Sequence, residues 1–179
     1  MVYDIGMHLL YPQTEIESNV KRLASEITAD YHDKNPLLIG ILKGSFVFMA
    51  DLVRVLDFDL EVEFVRLSSY ESGRESTGKI QMVQGLRAVV RDRHVLLVED
   101  IVDTGLTVSS FLRLLKNRKP ASLRLCAMMD KPSRRQVPLE IDYLGLTVPD
   151  KFIVGYGLDY AEKYRNLPDL FYLEDEQDA

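Results

Sequence analysis

Two adjacent carboxylates close the apolar run Val95–Val98, and a hydroxyl- and glycine-rich turn follows them: Glu99, Asp100, then Asp103, Thr104, Gly105 and Thr107. The next residues carry Val108, Phe111, Leu112 and Leu115 at i, i+3, i+4 and i+7, which predicts an amphipathic helix. A helix start leaves backbone N–H groups unpaired and carries partial positive charge, so it suits a phosphate. Thr104 and Thr107 add hydroxyls, and Gly105 lets the backbone approach an anion closely. The acidic pair would repel such a ligand unless hydroxyls or a metal lay between them. Ribose hydroxyls and Mg²⁺ meet both demands. Local chemistry therefore points to a sugar-phosphate pocket, with a capped helix after an acidic turn as the competing reading. Neither the G-x-x-x-x-G-K-[ST] loop nor the G-x-G-x-x-G fingerprint occurs here.

The elements that must position these residues are legible in outline. Thr14 and Glu17 have the spacing of a capping box, and Ile16, Val20, Leu23 and Ile27 give the helix after it one apolar face. Leu37–Leu42 reads as a buried strand. Lys43-Gly44-Ser45 turns it into a helix carrying Phe46, Met49, Leu52 and Val53. Leu60–Ser69 and Leu123–Met129 read as strands, with shorter ones at Tyr143–Thr147, Phe152–Val154 and Leu170–Leu173. Tyr70–Lys79 is polar with two glycines and reads as a mobile loop, and residues 174–179 read as an acidic solvated tail. Strands alternating with helices imply an α/β fold with a mostly parallel twisted sheet flanked by helices. The length of 179 residues suits one domain, 1–179, with one core.

Composition narrows the function classes. A net charge of −6 and a pI near 5.1 argue against a nucleic-acid partner, which needs clustered Lys and Arg. No apolar run approaches the ~20 residues that cross a bilayer, and the N-terminal residues lack a signal-peptide pattern, so a cytoplasmic location is expected. The one cysteine, Cys126, lies in an apolar run and reads as a buried inert thiol. His8, His32 and His94 share no metal spacing and read as surface or loop residues.

The segment VLLVEDIVDTGLT resembles the phosphoribosyl pyrophosphate (PRPP) motif of the type I phosphoribosyltransferases, closest to their bacterial hypoxanthine-guanine branch. LLIGILKGSFVF, SSYESGRESTG, MMDKPSRR and PDKFIVGYGLDYAEKYRNLP resemble other segments of that branch in the same order, so the likeness spans most of the chain. It implies a type I phosphoribosyltransferase fold, with a small hood formed by terminal segments. It also implies transfer of the phosphoribosyl group from PRPP to N9 of hypoxanthine or guanine, giving IMP or GMP and pyrophosphate in purine salvage.

The resemblance assigns roles residue by residue. Glu99 and Asp100 would hold the ribose hydroxyls and Mg²⁺. Asp103, Thr104, Gly105, Leu106 and Thr107 would cradle the 5-phosphate, and Asp103 would be the general acid/base at purine N7. Leu106 stands where some members have a lysine, so only its backbone can take that part. Lys43 and Gly44 would form the pyrophosphate loop, in which the Leu42–Lys43 peptide can be cis, and Arg165 would pair with pyrophosphate. Ser69 and Tyr70 would open a flexible catalytic loop over 70–80. Lys131 would donate to the 6-oxygen of the base, Phe152 would stack on it, and Ile153 would contact it through its backbone. Asp159 would bind Mg²⁺, with base contacts nearby. A homodimer or homotetramer is expected. The alternatives are a sensor that keeps the PRPP pocket without catalysis, and an enzyme acting on xanthine or a pyrimidine.

Overall fold

The computed structural model describes residues 6–71 and 76–174, with only the backbone described for 68–71 and 76–84. Its larger sheet has strand order β4-β3-β2-β5-β6-β7, formed by β2 (Leu37–Leu42), β3 (Glu61–Glu71), β4 (Ser76–Gln84), β5 (His94–Val102), β6 (Ser122–Asp130) and β7 (Tyr143–Thr147). All neighbours run parallel except β3 and β4. A second, antiparallel sheet joins β1 (Met7–Tyr11), β9 (Leu170–Leu173) and β8 (Phe152–Val154). This is the expected α/β fold, with the hood built from strands near both ends of the described chain.

Side chains alternate between two apolar layers. Leu38, Leu96 and Val98 pack with α1 (Gln13–Tyr31) and α2 (Phe46–Val55) on one face. Leu37, Ile39, Ile41, Val95 and Leu97 pack with α3 (Leu106–Asn117) on the other. Strands covered on both faces must be apolar throughout, which explains the continuous runs in β2 and β5. Cys126 is fully buried in the first layer, and burial pushes its thiol far up, as an inert core residue requires.

Several local expectations are corrected. Helix α1 starts one residue earlier than predicted and forms no capping box: the Gln13 N–H donates to Asp169 Oδ1 at 2.7 Å, and Gln13 Nε2 donates to Glu17 at 2.8 Å. The loop before β9 thus supplies a cap that no local pattern could reveal. In α2 the inward aromatic is Phe48, while Phe46 is exposed. Within the predicted loop Tyr70–Lys79, the backbone is strand up to Glu71 and again from Ser76, and residues 72–75 lie outside the described residues. Backbone pairing of Ser69 with Ile80 and Glu71 with Ser76 holds this antiparallel arm without needing an apolar face. His94 is a half-buried strand residue 2.8 Å from Ser122 Oγ, whereas His8, also in a strand, is at the surface as expected and stacks on Tyr172. The predicted tail 174–179 lies outside the described residues except for Glu174.

Candidate active site

The carboxyl ends of β2, β5 and β6 converge at one edge of the sheet, where open α/β sheets take their ligands. Glu99 and Asp100 do not follow β5, as the sequence suggested, but lie inside it, because the strand runs on to Val102. Both are buried, at 9% and 8% exposure. Burial pushes the Glu99 carboxyl well above the usual carboxylate range, and the neighbouring Asp100 charge adds to this. Burial also pushes Asp100 up to about 6, against the hydrogen bond its Oδ1 accepts from the Ile101 N–H at 2.9 Å. Glu99 Oε2 has no hydrogen-bond partner. An orphaned buried carboxylate oxygen is costly and is common where a ligand completes the site.

The chain then turns through Asp103, Thr104 and Gly105 into α3. Gly105 has φ +78° and is buried, and no side chain caps the helix at this position. The first-turn N–H groups of Leu106, Thr107 and Val108 therefore remain available to an anion, apart from a long 3.4 Å contact from the Leu106 N–H to Thr104 Oγ1.

At the end of β2 the Leu42–Lys43 peptide is cis. Gly44 sits directly against Asp100. Gly157, at φ +97°, packs on the Gly44 carbonyl: a Cβ there would fall 2.3 Å from that oxygen. Arg165 Nη1 donates to the Gly157 carbonyl at 2.7 Å, and its Nη2 pairs with Asp159 at 2.6 Å. Lys43 Nζ pairs with Glu162 at 2.9 Å. The structure thus brings Lys43, Gly44, Asp100, Asp159 and Arg165 into one connected group.

Lys131, just beyond β6, is 8% exposed, and its Nζ donates to the Lys151 carbonyl at 2.9 Å. A buried ammonium with a single acceptor retains two donor positions. Phe152 is 47% exposed and meets Tyr160 edge-on at 5.5 Å, whereas the neighbouring Ile153 is buried. Asp103 accepts from Arg134 Nε at 3.2 Å. Ser69 and Tyr70 lie in β3, and their side chains are outside the described residues.

The sequence reading missed Gly157, Glu162 and Arg134. The repeated glycines of GYG offered a signal for the first. The other two owe their places to contacts across 119 and 31 positions of chain.

Residues 9–161 match the model of the phosphoribosyl transferase domain. The chain belongs to the phosphoribosyltransferase family. It is 45% identical over 168 residues to the hypoxanthine-guanine phosphoribosyltransferase of Bacillus subtilis, covering 94% of this chain and 93% of that one. It is 46% identical over 160 residues to the bifunctional protein TilS/HprT of Listeria innocua, and spans only about a quarter of that relative's length. A hypoxanthine phosphoribosyltransferase structure from Staphylococcus aureus superposes with a TM-score of 0.91 at 42% identity, covering 96% of this chain and 94% of the other. The β5–α3 segment lies within the matched residues.

No cluster of three or more His, Cys, Asp or Glu able to hold a metal occurs among the described residues. Mg²⁺ commonly takes one or two carboxylates and completes its shell with substrate oxygens and water. The unpartnered Glu99 Oε2 and its neighbour Asp100 are suitable donors. No helix is long and apolar enough to cross a membrane among the described residues.

Proposed function

We propose that this phosphoribosyltransferase moves the 5-phosphoribosyl group of PRPP to N9 of hypoxanthine or guanine, yielding IMP or GMP and pyrophosphate for purine salvage. The observation that carries this reading is the contact of Gly44 with Asp100. It supports a pyrophosphate loop next to an acid suited to the ribose hydroxyls, and the uncapped start of α3 supports a 5-phosphate site a few residues further along the chain. The identity of about 45% to hypoxanthine-guanine enzymes over most of the chain supports the same choice of base.

In this reading the backbone of residues 103–107 anchors the 5-phosphate. Glu99 and Asp100 hold the ribose 2- and 3-hydroxyls. The bond from C1 to the pyrophosphate oxygen breaks, the electron pair leaves with pyrophosphate, and N9 bonds to C1. Lys43, the Gly44 backbone and Arg165 stabilise the departing anion electrostatically. Glu99, Asp100 and Asp159, one or two at a time and together with substrate oxygens, would hold Mg²⁺, which would supply further charge neutralisation. Phosphate anchoring and stacking on Phe152 orient the base. Asp103 takes the purine proton. Ser69 and Tyr70, on the β3–β4 arm, help exclude water from C1. Lys131 donates to the 6-oxygen, while carbonyls near Ile153 and Asp159 face purine C2. The enzyme works in the cytoplasm as a homodimer or homotetramer.

The protein incubated with PRPP, Mg²⁺ and hypoxanthine should form IMP and pyrophosphate in equal amounts, and EDTA should stop both. PRPP binding without either product would overturn this reading in favour of a sensor.

A further inference from the structure

The segment after β6 is laced to the turn that carries Asp103. The Lys131 N–H donates to the Val102 carbonyl at 3.0 Å, and the Gln136 N–H donates to the Thr104 carbonyl at 3.0 Å. Between them, Arg135 Nε donates to the Asp103 carbonyl at 3.3 Å, while its guanidinium pairs with Asp130. Arg134 is therefore presented from a fixed backbone. Its Nε donates to Asp103 Oδ1 at 3.2 Å and lies 3.8 Å from Asp150 Oδ1. Asp150 sits two residues before Phe152, at the start of the segment proposed to face the base.

We propose that Arg134 is a positioning residue for phosphoribosyl transfer: it holds Oδ1 of Asp103 and ties that carboxylate to Asp150, so that Oδ2 is presented to the purine. This rests on Asp103 exchanging the purine proton, as proposed above. A carboxylate held by one charged donor keeps its second oxygen in a defined direction, which proton transfer at hydrogen-bond range requires. The fold has little need of this pair. Its side chains are 50% and 43% exposed, and half-exposed ion pairs contribute little to stability. A loss on removing Arg134 should therefore appear in turnover, with the melting temperature nearly unchanged.

The test is a double-mutant cycle on the full chain, with Arg134→Ala, Asp103→Asn, the pair together, and Arg134→Lys as the conservative variant. Arg134→Ala should lower kcat roughly 5- to 20-fold, a fraction of the ~10²–10⁴ an acid/base group supplies, with KM for PRPP nearly unchanged. Arg134→Lys should recover part of the loss. In the Asp103→Asn background, removing Arg134 should cost nothing further. Losses that multiply, or an Arg134→Ala enzyme with wild-type kcat, would overturn the positioning role while leaving the transferase reading intact. A wild-type protein inactive with both hypoxanthine and guanine would overturn both.

Discussion

Gly44 and Asp100 occupy neighbouring space so closely that no other residue fits at position 44. A Cβ on Gly44 would fall 1.5 Å from Asp100 Oδ2 and 2.5 Å from its Cγ. Gly44→Ala must push the carboxylate aside or displace the loop. Either response would separate the subsites proposed for ribose and pyrophosphate, and a misplacement of about 1 Å near reacting groups can cost ~10²-fold in rate. Steady-state kinetics should show kcat/KM for PRPP falling by about that factor while the circular dichroism spectrum is retained. An active Gly44→Ala enzyme would remove this contact from the mechanism.

The buried acids set a pH dependence on the ligand-free protein. Asp100 releases its proton near pH 4 in the unfolded chain and near 6 when folded. Its contribution favours folding below about pH 4 and is lost as the pH rises through about 6. At neutral pH the ionised group is a standing cost of at most about 3 kcal/mol. Asp100→Asn should therefore raise the melting temperature of the ligand-free protein at pH 7.5 by several degrees, with a smaller effect at pH 4. PRPP binding should be lost in the same variant. A melting temperature lowered at pH 7.5 would mean that the carboxylate stabilises the fold.

Lys131 should govern the choice of base. Its buried ammonium donates to the Lys151 carbonyl and retains donors for the contact proposed with a 6-oxygen. A site built to donate to a carbonyl rejects a base lacking it, because the donor is left unpaired. Lys131→Ala should lower kcat/KM for hypoxanthine by roughly 10²-fold or more, with little change in PRPP affinity. Selectivity over adenine should shrink together with it. Selectivity that survives the substitution would place discrimination elsewhere.

How much of this was legible in the sequence depended on whether the deciding contact is local. The strands β2, β5 and β6 are apolar on both faces and announced themselves, as did the Glu99–Thr107 segment. Strand β1 did not: none of its five residues is fully buried, Leu9 is exposed, and the strand owes its conformation to pairing with β9 more than 150 positions away. The start of α1 was misread for the same reason, since Asp169 supplies the cap. The placement of Glu99 and Asp100 within β5 follows from their backbone pairing with β6, which no acidic dipeptide advertises. Gly44 was legible as part of the turn between β2 and α2, but its need to be glycine comes from Asp100, far along the chain.

Phe152 presents a half-exposed ring beside Tyr160, in a strand whose other two residues are buried. Stacking of a base on such a ring is worth ~1–3 kcal/mol. Phe152→Ala should raise KM for hypoxanthine by about tenfold or more, with a smaller effect on KM for PRPP. Equal rises for both substrates would indicate a general loosening of the hood instead.

The most direct measurement is a base panel: purified protein with PRPP and Mg²⁺, offered hypoxanthine, guanine, xanthine, adenine and uracil separately, with pyrophosphate release as the readout. The expected result is release with hypoxanthine or guanine, abolished by chelation, with adenine and uracil inert. Release with adenine or uracil but not with the 6-oxopurines, or no release with any base, would contradict transfer to a 6-oxopurine.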